Sequence, residues 1–295
     1  MPHFLDIKDL KKNQLNRIVE NAFNWKLKKP KMFLDKKNII MIFEKPSLRT
    51  RVSFEIGIKQ LGGSVTVLNS NEFILGQRES VFDTIKVLER YVDMIIIRSF
   101  DHNVLREMSK ISNVPVVNAL TDHSHPCQVV SDLLTIKEKF GSLRKRKISW
   151  FGDCNNVTQS WIEAAVLFDM EFFIATPPSI KPENKTIEWV ENNKGKIFIT
   201  HDVNIAAENA DCIMTDTWIS MGDKKTKSID KFQPYQVNKK IMSMASKNAI
   251  FMHCLPAYHG SEVTTEVLNS KMSVVFDQAE NRLHAHKAIL NYCNT

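Results

Sequence analysis

The chain predicts an α/β protein made of two doubly wound domains with parallel sheets. Three observations carry this. β-prone apolar runs alternate with amphipathic helical stretches along the whole length, the alternation starts afresh near residue 148, and 295 residues exceed the roughly 100–200 of one domain. Strands separated by helices pair in parallel, and the basic turn at 141–147 divides the chain into 1–140 and 141–277.

A helical pattern opens the chain over about 6–28. Strand-like runs at 39–43, 65–68, 94–97 and 114–117 alternate with helices, and a long helical segment at 128–140 leads to the basic turn. The second half repeats the scheme with strands at 148–152, 172–175, 197–200, 212–215 and 250–252, and 274–276 reads as one more. The closing stretch at 278–293 reads as a helix able to pack on either domain.

Ligands of open parallel sheets lie beyond the carboxyl ends of strands. Polar clusters fall at those places: 47–51 after the first strand, Arg98 after the third, 125–128 after the fourth, Asn155 and Asn156 after the first strand of the second half, then 216–222 and 253–256. The first is the most informative. Pro46 ends the strand, and Val52, Ile56 and Leu61 recur at helical spacing, so 47–51 opens a helix. Outward first-turn amides, the helix dipole and the donors of Ser47, Arg49, Thr50 and Arg51 make this an oxyanion trap.

Composition excludes several classes. A hydrophobic share of 43% and a charged share of 25% are ordinary globular values, which argues against disorder. The net charge of +7 comes from basic runs at 26–37, 144–147 and 224–227. These lack the interleaved aromatics of a nucleic-acid module and suit the attraction of an anionic substrate. No 18-residue apolar run and no secretory leader is seen, so the expected location is cytoplasmic, without a membrane partner. Five scattered cysteines give neither a disulfide framework nor zinc spacing; His123, His125 and Cys127 alternate, but Pro126 intervenes and no second ligand cluster exists, so no metal is expected. The turn at 150–156 carries one glycine where a dinucleotide fold needs three, and no phosphate-binding lysine loop exists, so no cofactor is expected. A Cys–His hydrolase at His253-Cys254 is disfavoured because neighbours on a strand point to opposite faces.

Taken together, Phe43-Glu44-Lys45-Pro46-Ser47-Leu48-Arg49-Thr50-Arg51, His125-Pro126-Cys127-Gln128, Gly152-Asp153-Cys154-Asn155-Asn156, Asp216-Thr217-Trp218-Ile219-Ser220-Met221-Gly222, Pro234-Tyr235-Gln236-Val237-Asn238, His253-Cys254-Leu255-Pro256-Ala257 and the run 276–285 resemble the aspartate/ornithine carbamoyltransferase family, in the family's order and over nearly the whole chain. The resemblance implies a first domain that binds carbamoyl phosphate, a second that binds the amino acid, a last helix (278–295) returning to the first, and an active site in the interdomain cleft. It also implies a homotrimer or a multiple of trimers, with active sites at subunit interfaces. The 220–222 loop with 253–256 points to ornithine as acceptor, carbamoylated on its δ-amine to citrulline, and away from aspartate.

On this resemblance Ser47, the Leu48 amide, Arg49 and Thr50 hold the phosphate and Arg98 reaches both phosphate and carbonyl. Thr50, Arg98 and His125 face the growing oxyanion, each donor worth ~3–4 kcal/mol. Gln128 and Arg282 fix the carbamoyl group. Asp216 and Cys254 lie near the δ-amine, Asn156, Ser220 and Met221 hold the α-amino and α-carboxylate end, and the Leu255 backbone lines the pocket. The catalytic set is then Arg98, His125, Asp216 and Cys254, with Cys254 not a covalent nucleophile and 220–227 a lid. Three positions depart from the family pattern. Leu48 replaces a threonine and also occurs in relatives using N-acylated ornithine, Ile74 replaces a residue reaching a neighbouring subunit, and Cys154 replaces a glycine. A carbamoyltransferase for an acylated or other amine, and a silent anion-binding relative, are the alternative readings.

Overall fold

The computed structural model describes residues 1–71, 74–219 and 229–295. Two compact units divide the chain, Met1–Leu134 with Glu280–Thr295, and Thr135–Ala279.

In the first unit a single 3₁₀ turn, Ile7–Asp9, precedes α1 (Lys12–Leu27). The opening helical pattern is thus interrupted. Leu10 and Lys11 are extended, and the Lys11 amide donates to Gln14 Oε1 at 2.8 Å, so the helix restarts there. There follow β1 (Asn38–Phe43), α2 (Leu48–Gln60), β2 (Ser64–Asn69), α3 (Val81–Leu88), β3 (Met94–Arg98), α4 (His102–Ile111), β4 (Val116–Leu120) and α5 (Pro126–Phe140). The strands form a parallel sheet in the order β2-β1-β3-β4.

β1 and β3 are buried almost end to end, which is why they read as unbroken apolar runs. Ile40, Ile42, Ile95, Ile97 and Val116 pack on Ile85 of α3 and on Leu105 and Met108 of α4. β4 starts two residues later than its apolar run suggests. The Val116 amide is taken by His3 Nδ1 and the Asn118 amide by the Phe4 carbonyl, so the strand runs through Asn118, a buried polar residue whose amide group serves Leu5 O and Ser124 Oγ at 2.9 Å each.

The second unit contains β5 (Lys147–Phe151), α6 (Asn156–Phe168), β6 (Glu171–Ala175), α7 (Asn184–Asn192), β7 (Lys196–Thr200), α8 (Val203–Ala207), β8 (Cys212–Thr215), α9 (Lys239–Met244), β9 (Ile250–His253) and α10 (Thr265–Leu268), and α11 (Val275–Cys293) starts in it. All its strands are parallel, in the order β7-β6-β5-β8-β9. The strand expected at 274–276 is not formed. Ser273 makes one isolated bridge to Phe251 and the Val274 amide donates to Phe251 O, but the chain turns helical at Val275 and leaves Phe276 77% exposed.

Strand order reverses between β1 and β3 in one unit and between β5 and β8 in the other. Chain leaving such neighbours diverges to opposite sides of the sheet, opening a crevice at their carboxyl ends.

Candidate active site

The crevice of the first unit is built from β1, β3 and their following turns. Ser47 is extended and caps α2 by accepting the Thr50 amide at 3.3 Å, which leaves the earliest amides of the helix without intrahelical partners. Leu48, between them, is 75% exposed. Phe43 and Arg98 are register partners on β1 and β3, so Arg98 emerges beside the turn, buried, with Nη1 3.5 Å from Thr50 Oγ1. Arg282 of α11 donates Nη2 to the same hydroxyl. Two buried guanidinium groups thus converge on Thr50. Arg49 is half-buried, whereas Arg51 turns to Glu55 at 2.6 Å and does not join them.

His125 lies just before α5 and is buried; its amide-linked turn is fixed by Gln128 N donating to His125 O at 3.1 Å. Burial, then the charges of Arg282 and Arg98 and the His286 ring, hold its pKa well below the ordinary histidine value. It is a neutral imidazole, with one N–H to donate. One turn on, Gln128 is fully buried and gives its Nε2 to Asp132 at 2.8 Å, while Oε1 takes no donor among the described residues. That acceptor suits an N–H of a carbamoyl group.

In the second unit the ends of β5, β8 and β9 meet on one carboxylate. Asp216 accepts from Asn155 Nδ2 at 2.7 Å and from the Cys254 thiol at 3.1 Å. Asn155 is also the cap of α6, accepting the amides of Val157 at 3.0 Å and Thr158 at 3.2 Å, so one side chain ties helix and carboxylate together. Gly152, at φ +116°, has the Trp218 indole nitrogen 3.0 Å from where a Cβ would stand. This is the turn position that demands glycine. Cys154 has no positive φ and tucks its thiol 4.0 Å from Thr176 Oγ1, its pKa pushed up to about 12 by burial. The side chain there is accommodated without strain.

His253 and Cys254 serve different partners. His253 Nδ1 accepts the Leu255 amide at 2.9 Å, so Nε2 carries the proton and donates to the buried Glu262 at 3.2 Å. Glu262 also accepts the Tyr258 amide at 2.7 Å. Together these contacts hold Leu255 at φ +58°, ahead of a cis bond to Pro256. Asp216, His253 and Cys254 bring ligand-type atoms within 4.8 Å of one another, yet both ring nitrogens of His253 are engaged. Asn156 opens α6, half-buried, beside Asn155. Ser220, Met221 and the expected lid at 220–227 lie outside the described residues.

Asn155 stands among the polar positions expected after strands, but its contact with Asp216 was not part of that expectation. Glu262 was not expected at all, since it reaches His253 from an irregular stretch nine residues on.

Residues 2–138 match the family described as "Aspartate/ornithine carbamoyltransferase, carbamoyl-P binding domain", and 144–293 its "Asp/Orn binding domain". The chain is 46% identical over 296 residues to ornithine carbamoyltransferase of Bradyrhizobium diazoefficiens, covering 99% of this chain and 96% of that relative. It is similar to two solved structures. These are ornithine carbamoyltransferase from Pyrococcus furiosus, at TM-score 0.93 and 42% identity with 98% and 95% coverage, and the anabolic enzyme from Campylobacter jejuni, at TM-score 0.95 and 39% identity with 99% of each chain covered. Matched in both halves and along nearly its whole length, the chain belongs to the aspartate/ornithine carbamoyltransferase family.

Proposed function

We propose that this protein is an ornithine carbamoyltransferase, moving the carbamoyl group of carbamoyl phosphate to the δ-amine of L-ornithine to give L-citrulline and phosphate, a step of arginine biosynthesis. The observation that carries this reading is the convergence of Arg98 and Arg282 on the Thr50 hydroxyl at a capped helix start, beside a neutral buried histidine. Ser47, the Leu48 amide, Arg49 and Thr50 take the phosphate. Arg98, Thr50 and the His125 N–H stabilise the oxyanion as the amine attacks, and Gln128 with Arg282 orients the carbamoyl amide.

Ornithine belongs to the second unit. A free alkylamine titrates at about 10 and must lose its proton to attack. Asp216 attracts the cationic form, and the departing phosphate accepts the proton. The Cys254 thiol is engaged as a donor to Asp216, which argues against its serving as a covalent nucleophile. Asn156, Ser220 and Met221 bind the α-amino and α-carboxylate groups, and the Leu255 backbone, fixed by the His253–Glu262 pair, completes the pocket.

Assembly into trimers, or multiples of them, is supported by an apolar stripe on α2. Leu48, Val52 and Ile56, spaced four apart on one face, are 75%, 48% and 40% exposed. The stripe begins inside the anion-binding turn, so a second copy covering it would complete the site. A cytoplasmic location suits five cysteines that are all free thiols, and no helix among the described residues is long and apolar enough to cross a membrane.

The test is citrulline formation from carbamoyl phosphate with ornithine, N-acetylornithine, N-succinylornithine, putrescine and aspartate in parallel. Turnover with ornithine alone is expected. Turnover with an acylated amine and not with ornithine reassigns the pocket, and none with any amine leaves an anion-binding protein.

A further inference from the structure

α11 is joined to α2 by a row of side-chain contacts. Arg282 and His286, four apart, share a face of α11, and they meet Thr50 and Ser53, three apart on α2. Arg282 donates to Thr50 Oγ1, His286 Nδ1 lies 3.0 Å from Ser53 Oγ, and Lys287 Nζ donates to Gln60 Oε1 at 3.1 Å. The middle contact has a defined polarity. The Ser53 hydroxyl is 2.6 Å from the Arg49 carbonyl and 3.2 Å from that of Thr50, so its proton stays within α2 and it can only accept from His286. Nδ1 therefore carries the imidazole proton and Nε2 the lone pair.

The ring is fully buried and stacks on Phe54, with centroids 3.7 Å apart and planes 8° from parallel. Nε2 takes no donor among the described residues. Burial, followed by the charge of Arg282, pushes the His286 pKa well below its ordinary value. A lysine or arginine here would supply the same donor but add a third buried cation beside Arg98 and Arg282. Imidazole gives a donor without a charge.

We propose that His286 is a positioning residue of the carbamoyl phosphate site: through Ser53 it fixes the carbonyls of Arg49 and Thr50, so that the first turn of α2 keeps its amides and the Thr50 hydroxyl aimed at the bound phosphate. The inference rests on the assignment of that turn to carbamoyl phosphate. It differs from a packing role in what it predicts, a loss in anion affinity that depends on the donor and not on the ring.

The experiment compares the full-length parent with His286→Leu, His286→Gln, Ser53→Ala and the double variant His286→Leu/Ser53→Ala. It measures KM for each substrate, kcat at saturation, the Kd of inorganic phosphate by titration calorimetry, and Tm. His286→Leu and Ser53→Ala are each expected to raise KM for carbamoyl phosphate and Kd for phosphate about tenfold, the scale of one lost hydrogen bond. KM for ornithine stays unchanged and kcat falls less than about threefold. The double variant is no worse than either single one, and His286→Gln, which keeps an N–H donor, stays within about threefold of the parent. Unchanged phosphate affinity in Ser53→Ala overturns the proposal even if His286→Leu does not fold. So does an equal loss in His286→Gln and His286→Leu, or a multiplied loss in the double variant. A parent that neither binds phosphate nor forms citrulline overturns the underlying assignment, and the proposal with it.

Discussion

Thr50 is the residue around which the proposed anion site is organised. Its hydroxyl is the common acceptor for guanidinium groups from β3 and α11, which come from positions 98 and 282. Charge alone does not explain this pairing, because a guanidinium can give one N–H to Thr50 and keep others for a ligand, and an ammonium has no such planar fork. Arg282→Lys is accordingly expected to raise KM for carbamoyl phosphate at least tenfold in steady-state assays while leaving Tm within a few degrees. An unchanged KM removes Arg282 from the site. At this scale the sequence informs on placement: Ser47, Arg98, His125, Asp216 and Cys254 all stand at or just after strand ends, as the pattern of apolar runs implies. Contacts made across the fold were not legible in it. Nothing near Glu262 or His286 in the chain reveals that each completes a hydrogen-bonded unit begun elsewhere, since the partner is chosen by packing.

Elements place these residues through register and caps. Parallel pairing of β1 with β3 sets Arg98 opposite Phe43, and pairing of β8 with β9 sets Thr215 opposite His253, so residues distant in sequence leave their strands at one level. Caps then aim the helices, Ser47 for α2 and Asn155 for α6. Ser47→Ala removes the acceptor for the Thr50 amide and is expected to cost about 1 kcal/mol in urea unfolding, together with weaker carbamoyl phosphate binding. A loss of stability with unaltered affinity would separate the cap from the site. Periodicity located most strands because buried parallel strands are apolar throughout. It failed at 274–276, where three apolar residues hand over from an isolated bridge to a helix, and at β4, where buried Asn118 interrupts the run while remaining inside the strand. A polar side chain that finds buried partners leaves no trace in hydropathy.

For the molecule as a whole, burying uncharged histidines couples stability to pH. His125 and His286 are both held well below the ordinary value of about 6.5. The unfolded chain therefore binds protons that the folded chain refuses as pH falls below about 6.5, and stability falls with it. Each such group contributes a slope of about 1.4 kcal/mol per pH unit in that window. Asp6, depressed in the fold by His102, Ser124 and Arg106 against the effect of burial, adds loss in the same direction below about 4. Chemical denaturation is thus expected to show a plateau above pH 6.5 and a decline below it, and a flat profile from 7 to 5 would contradict the buried neutral histidines. The proposed function turns on one claim, that Arg98 acts on a carbamoyl phosphate held at the capped turn of α2. Its most direct measurement is steady-state citrulline formation by Arg98→Ala beside the parent, with Tm as the control for folding. The parent is expected to turn over ornithine and the folded variant to be slower by orders of magnitude; a variant at near-parent rate contradicts this role of Arg98.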